Sequence, residues 1–233
     1  MSFNCRFNPS ANGAGLHLGH AYMALINEAV AHQSGGKFIV RFDDSSPRHE
    51  AQFGRARMDA AREQQRGELE WLGVKPDLWI KQTDIMPEIV AELARLNWHC
   101  EFGVYPIRSP MYPTDERLAL FPCEPTITAE KVLMDHMEGV NLLIRGIDLM
   151  TEYSLYAYCC KTFHLPEPDH VYLPRLASSN GLMSKHHGGI TLADLRAQGY
   201  TPEDVRATLG EACLREPGNA WALWNIKAEP RLE

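Results

Sequence analysis

The chain has 233 residues, 45% of them hydrophobic and 23% charged, enough to fill one large domain, or one domain with a small appendage. No apolar run reaches the roughly 18 residues of a membrane span, and no charged-then-apolar leader opens the chain, so neither a membrane anchor nor secretion is expected. A formal charge of −7 excludes a wholly basic nucleic-acid coat and leaves room for a local basic groove.

In chain order, Phe3 to Asn8 predicts a short strand that breaks at Pro9, followed by the small-residue turn Ser10-Ala-Asn-Gly-Ala-Gly15. From Leu18 the spacing of Tyr22, Leu25, Ile26, Ala29 and Val30 predicts a helix that Gly35-Gly36 stops. Lys37 to Asp43 carries charge only at its ends and reads as a buried strand. Strand, turn, helix and strand form a βαβ unit, which implies a parallel sheet. Ala51 to Leu72 reads as one long surface helix and Asp77 to Lys81 as a short strand. Asp84 is then an N-cap, with Pro87 in the first turn and a stripe of Ile85, Ile89, Leu93 and Leu96. Residues 99–126, with five prolines, read as irregular connection or a small insertion. Regularity returns with Val140–Arg145 (strand), Glu152–Phe163 (helix) and Val171–Leu173 (strand). In the tail, Thr201-Pro-Glu-Asp204 is a capping box whose helix ends at Gly210, and a last helix holds Trp221, Leu223 and Trp224. The expected organisation is therefore 1–98 and 131–190 as two halves of a Rossmann-like α/β domain, 99–130 as a reduced insertion and 191–233 as a helical tail. The six cysteines show no CxxC and no framework spacing. A reducing cytoplasm is therefore expected rather than a disulfide scaffold or a zinc ribbon, and the adjacent Cys159 and Cys160 read as packed thiols.

Two segments carry chemistry. Gly15-Leu-His17-Leu-Gly-His20 lies between a strand and a helix start, where outward amides and the macrodipole favour a phosphate. Gly15 and Gly19 allow close approach to the backbone, and His17 and His20, three apart, can donate to one phosphate. Two ordinary surface histidines, or half a metal site, are the plain alternatives. The second segment is Gly181-Leu-Met-Ser184-Lys185-His-His-Gly-Gly189. A lysine there is a mobile charge suited to a leaving pyrophosphate, or simply solvated surface.

Together these segments resemble the class I aminoacyl-tRNA synthetases of the glutamyl/glutaminyl group. Arg6-Phe-Asn-Pro-Ser10 is similar to that group's opening, His17-Leu-Gly-His20 to its HIGH signature, Ile144-Arg-Gly-Ile-Asp-Leu149 to its Ile-Arg-Gly-Glu-Asp-Leu segment and Met183-Ser-Lys185 to the core of its KMSKS loop. The resemblance implies a Rossmann-like parallel sheet and ATP-dependent activation of an amino acid, glutamate first and glutamine next, with Mg²⁺ on the phosphates. It implies an ATP site of Pro9, Ser10, His17, Gly19, His20, Met183, Ser184 and Lys185. His17, His20 and Lys185 would stabilise charge on the phosphates, and Gly19 would clear space for adenine. Arg6, Asn8, Asp43, Thr128 and Arg145 would meet the amino acid, Asp43 at its α-ammonium. For Arg6, Asp43 and Arg145 a buried ion pair between strands is the competing reading.

The chain also departs from the group. Leu182 stands where the KMSKS loop has its first lysine, and Ile127 and Thr128 stand where the group carries Tyr and Asn or His. The connection between Asp44 and Arg145 is shorter than the group's acceptor-stem insertion with its flanks, and Cys100 and Cys123 are isolated, so no structural zinc is expected. No anticodon-binding domain is expected either, as in the truncated glutamyl-queuosine tRNA(Asp) synthetases. The leading expectation is a monomeric cytoplasmic ligase acting on glutamate or glutamine, with tRNA as acceptor. The alternatives are an adenylate-forming ligase with a protein or small-molecule acceptor, and a non-catalytic nucleotide-binding paralogue.

Overall fold

The computed structural model describes residues 2–12, 14–96, 125–173, 177–178, 181–182 and 191–209. The expected βαβ unit is present: β1 (Cys5–Phe7), α1 (Leu18–Gln33) and β2 (Phe38–Phe42), with the two strands parallel and Arg6 beside Ile39. After α2 (Pro47–Phe53) and α3 (Arg55–Trp71) comes β3 (Leu78–Lys81), then α4 (Gln82–Arg95) and α5 (Pro125–Met137). β4 (Leu142–Gly146) runs through a 3₁₀ segment, Ile147–Glu152, into α6 (Tyr153–Phe163), and β5 (Asp169–Leu173) completes a five-stranded parallel sheet in the order β3-β2-β1-β4-β5. Two short antiparallel strands, β6 (Ala177–Ser178) and β7 (Gly181–Leu182), precede α7 (Leu192–Ala197) and α8 (Pro202–Thr208). None of the described helices is long and apolar enough to cross a membrane.

The alternation of side chains along the strands sorts them between two cores. Cys5, Phe7, Phe38, Val40, Phe42, Leu142 and Ile144 join α1, α3, α7 and α8 on one face, whereas Ile39 and Leu143 join α4, α5 and α6 on the other. All five residues of β2 are buried, as expected of a strand covered on both faces. Arg6, Arg41 and Arg145 occupy strand positions on the second face and are buried as well. The strand order reverses between β1 and β4, so the crevice at their carboxyl ends is where a doubly wound sheet takes its ligand.

Several local expectations need correction. The single helix over 51–72 is two helices broken at Gly54, whose φ of 79° and ψ of 148° suit glycine. Its second part is not a pure surface helix, because Met58, Ala61, Gln65, Glu68 and Leu69 are buried. α4 starts at Gln82 with Lys81 at the cap, so Asp84 is its third residue and Pro87 lies inside the helix rather than in its first turn. α5, absent from the sequence reading, covers a stretch whose proline-rich approach masks its periodicity. The Thr201 capping box forms as expected, with Pro202 at the first helical position. Cys5, Cys159 and Cys160 are free and buried. Gly210, the Trp221–Trp224 helix and most of the 99–126 connection lie outside the described residues.

Candidate active site

The crevice above β1 and β4 gathers most of the residues that the sequence singled out. Past the end of β1 the chain stays beside β2: Asp43 N–H donates to the Pro9 carbonyl at 2.9 Å and Ala11 N–H to the Asp43 carbonyl at 3.0 Å. Ser10 and Asp43 therefore sit side by side across a parallel bridge, with the Ser10 hydroxyl 3.4 Å from His49 Nδ1. Asn8 is engaged from below, its Oδ1 accepting from Arg41 Nε at 2.8 Å.

α1 is capped by its own histidines. His17 is the N-cap residue in an extended conformation, and its Nδ1 accepts from Gly19 N–H at 3.1 Å. His20 Nδ1 accepts from His17 N–H at 3.3 Å, and the two rings stack with centroids 3.8 Å apart. An imidazole that accepts at Nδ1 carries its neutral-form proton on Nε2, so both rings are held in the tautomer that donates from the far nitrogen. The amides of Gly19, His20 and Ala21 are already bonded to His17. Hydrogen-bond donation to an anion thus falls to the imidazoles more than to the helix amides that the sequence reading emphasised. The space a Cβ on Gly19 would fill is taken by the His17 ring, 2.9 Å away at Cε1.

Beneath the crevice lies a buried charge cluster that no local motif announces. Asp135, on α5, is 1% exposed. It accepts from Arg6 Nε at 2.8 Å, Arg6 Nη2 at 3.1 Å, Arg41 Nη2 at 2.8 Å and the Tyr156 hydroxyl at 2.9 Å. Arg41 also pairs with Glu138 at 2.8 Å. Burial pushes the Asp135 carboxyl up, but the charges of Arg6 and Arg41 outweigh it and hold the group well below the usual carboxylate range. Burial opposes the charge on Arg6, and Asp135 more than compensates. The competing ion-pair reading of Arg6 therefore describes a real contact, although the partner is Asp135 of α5 and not Asp43.

Arg145 differs from the other two. It is 4% exposed, and its Nε and Nη2 have no hydrogen-bond partner among the described residues. Glu152 stands 3.8 Å from Nη1, and the guanidinium lies over the Tyr156 ring at 4.9 Å. Burial, followed by the neighbouring Arg6 charge, lowers its pKa. An unmet buried donor costs stability, so an acceptor that reached these two nitrogens would be favoured there. Register places Arg145 beside Tyr172 on β5, and Nε2 of His170 on the same strand has no hydrogen-bond partner among the described residues, its Glu167 neighbour standing 3.9 Å away. Burial, then the charges of Arg145 and Arg6, pushes His170 down to about 3, so its ring is neutral at physiological pH.

Thr128 is buried on α5, two turns before Asp135 and on the same side of the helix. Met183, Ser184 and Lys185 lie outside the described residues. The chain just after them returns to the histidine segment: Thr191 bridges His17, and Leu192 N–H donates to the Leu16 carbonyl at 2.8 Å. The residues missed by sequence reasoning are Asp135, Glu138, Arg41, Tyr156 and His170. A signal for them exists in the strand arginines, since charges inside apolar runs need buried counter-charges somewhere in the chain.

Residues 2–96 match the family model of the class I tRNA synthetases for E and Q, catalytic domain. Over 87% of its length the chain is 23% identical to a glutamate–tRNA ligase of Acidiphilium cryptum, spanning 56% of that protein. Over 38% of its length it is 32% identical to a glutamyl-Q tRNA(Asp) synthetase of Nocardia farcinica, spanning 29% of that protein. A glutamate tRNA ligase from Elizabethkingia meningosepticum, solved in complex with its amino acid, superposes over 87% of this chain and 59% of its own with a TM-score of 0.65 at 16% identity, a likeness of fold. The chain thus spans between 29% and 59% of the length of these three relatives.

Proposed function

We propose that this chain activates an acidic amino acid with ATP and passes it to tRNA, a reading supported by the match of residues 2–96 to the catalytic-domain model of the class I tRNA synthetases for E and Q. The observation that carries the substrate choice is Arg145. Among the described residues its buried Nε and Nη2 meet no acceptor, and a carboxylate can meet both donors with its two oxygens. The side-chain amide of glutamine offers one oxygen, which ranks glutamate first and glutamine second.

In this reading Mg·ATP enters as a substrate complex. The α-carboxylate of the amino acid attacks the α-phosphorus in line; the new bond makes an aminoacyl adenylate, and the α–β bridging bond breaks to release pyrophosphate. His17 and His20, donating from Nε2, stabilise the charge that grows on the phosphate oxygens. Pro9, Ser10 and Gly19 form the backbone edge along which the nucleotide lies, and Lys185, beside Met183 and Ser184, supplies a cation for the pyrophosphate. Asp43, beside Ser10 at the crevice edge, receives the α-ammonium, and Thr128 lines the amino-acid side. Arg6 and Asn8 act through the layer below: Arg6 is committed to Asp135 and Asn8 to Arg41, so both fix the floor beneath Arg145. We propose that the chain works as a monomer.

The reading is tested by incubating the protein with ATP, labelled glutamate or glutamine and bulk tRNA, and following label into RNA. Label in RNA with glutamate supports it. Adenylate formed without transfer to any tRNA would favour a protein or small-molecule acceptor, and ATP binding without adenylate a non-catalytic role.

A further inference from the structure

One helix outside the crevice holds the histidine segment in place. From α3, Gln65 Nε2 donates to the carbonyls of Ser10 at 2.9 Å and Ala14 at 2.8 Å. One oxygen of Glu68 accepts from Leu16 N–H at 2.6 Å, and the other accepts from Gln64 Nε2 at 2.8 Å. Gln65 is 1% and Glu68 8% exposed, amid the apolar Met58, Ala61 and Leu69 of the same helix. The approach depends on Gly15, where a Cβ would stand 2.5 Å from Gln64 Nε2 and 2.6 Å from Glu68 Oε1. The Leu16 peptide is then gripped from its other side by Leu192 N–H at the start of α7.

Leu16 directly precedes the N-cap His17, so any shift of its peptide carries both stacked imidazoles with it. A carboxylate is a costly way to fill this position, because burial raises its pKa while Leu16 N–H and Gln64 only partly offset that. A helix that needed only packing would carry Leu or Met there. We propose that Glu68 is a positioning residue: it sets the Leu16 peptide, through it the aim of His17 and His20 at the nucleotide phosphates, and it couples that segment to the Thr191–Leu192 end of the Lys185 stretch. The nucleotide part rests on the function proposed above; the coupling does not.

The test compares wild type with Glu68→Met, which keeps the volume but removes the acceptor, and Glu68→Gln, which restores one. Three readouts are taken: thermal midpoint, Mg·ATP affinity by calorimetry, and hydrogen exchange of peptides covering 14–20, 191–197 and, as a control, 38–42. Losing a charge-assisted bond predicts that Glu68→Met weakens Mg·ATP binding and speeds exchange in both 14–20 and 191–197 by about tenfold or more, with the β2 control unchanged. Glu68→Gln should stay within about threefold of wild type. Gly15→Ala, which pushes the same carboxylate aside, should reproduce the Met variant and serves if that variant does not fold. The proposal is overturned if folded variants leave exchange in both segments as in wild type, or if the control loosens equally. Wild type that protects both segments yet binds no Mg·ATP would sink the nucleotide reading while the exchange data still decide the coupling.

Discussion

Replacing Asp135 by Asn tests the account of the buried cluster most severely, because the change is nearly isosteric. The carboxylate accepts four hydrogen bonds, from two nitrogens of Arg6, one of Arg41 and the Tyr156 hydroxyl. An Asn can accept with its oxygen alone, and its amide points two donors at groups that also donate. The charge balance worsens too: Arg6 and Arg41 share Asp135 and Arg41 also pairs with Glu138, so the variant leaves Glu138 as the one carboxylate paired to these two guanidinium groups among the described residues. Breaking a buried pair by removing one partner costs about 3–5 kcal/mol, which for a chain of this size lowers the thermal midpoint by roughly 6–20 °C. Urea unfolding of wild type and Asp135→Asn at several pH values reads the effect. Asp135 has a folded-state pKa held below the unfolded value, so its contribution is complete above about pH 4 and falls as pH drops toward the folded pKa. A loss below about 1 kcal/mol, or a difference that widens on acidification, would refute the reasoning.

Three further outcomes follow from the same geometry. His20→Asn retains an acceptor near the position of Nδ1, which bonds His17 N–H, but lacks the distal donor; it should unfold within about 0.5 kcal/mol of wild type and lose about a hundredfold in amino-acid activation, with His20→Gln less affected in rate. Gly54→Ala meets nothing within 4 Å yet must adopt φ 79°, so chemical denaturation should show a cost of about 1–3 kcal/mol at a fully solvated position. The thiols of Cys5, Cys159 and Cys160 are pushed up to about 12 by burial, so native iodoacetamide labelling at pH 8, read by peptide mass spectrometry, should be more than about a thousandfold slower than for an open thiol.

The sequence announces those parts of the fold that depend on neighbours in the chain. The βαβ unit, the glycine stop after α1 and the Thr201 cap are local, and all three form. The break at Gly54 escaped because an Ala, Glu and Arg-rich stretch keeps its helical composition on both sides of one glycine. Element α5 escaped because Pro122 precedes it and Pro125 opens it, although a proline at a first helical position is ordinary. The buried cluster is invisible for a different reason. Arg6 and Asp135 are 129 residues apart and Arg41 and Asp135 are 94 apart, so their pairing belongs to the topology and no spacing reports it. The histidines show the intermediate case. Their place at a helix start was legible, but their mutual stacking and their use of Nδ1 as caps follow from the fold of the turn.

The measurement that bears most directly on the central claim is ATP–pyrophosphate exchange across a panel of amino acids, with and without bulk tRNA, on wild type and Arg145→Lys. The account predicts exchange with glutamate, weaker exchange with glutamine, and a rise in the amino-acid KM for the lysine variant, which lacks the planar fork that meets two oxygens. Exchange that prefers an amino acid without a side-chain carboxylate or amide, or a lysine variant with unchanged amino-acid dependence, would contradict it.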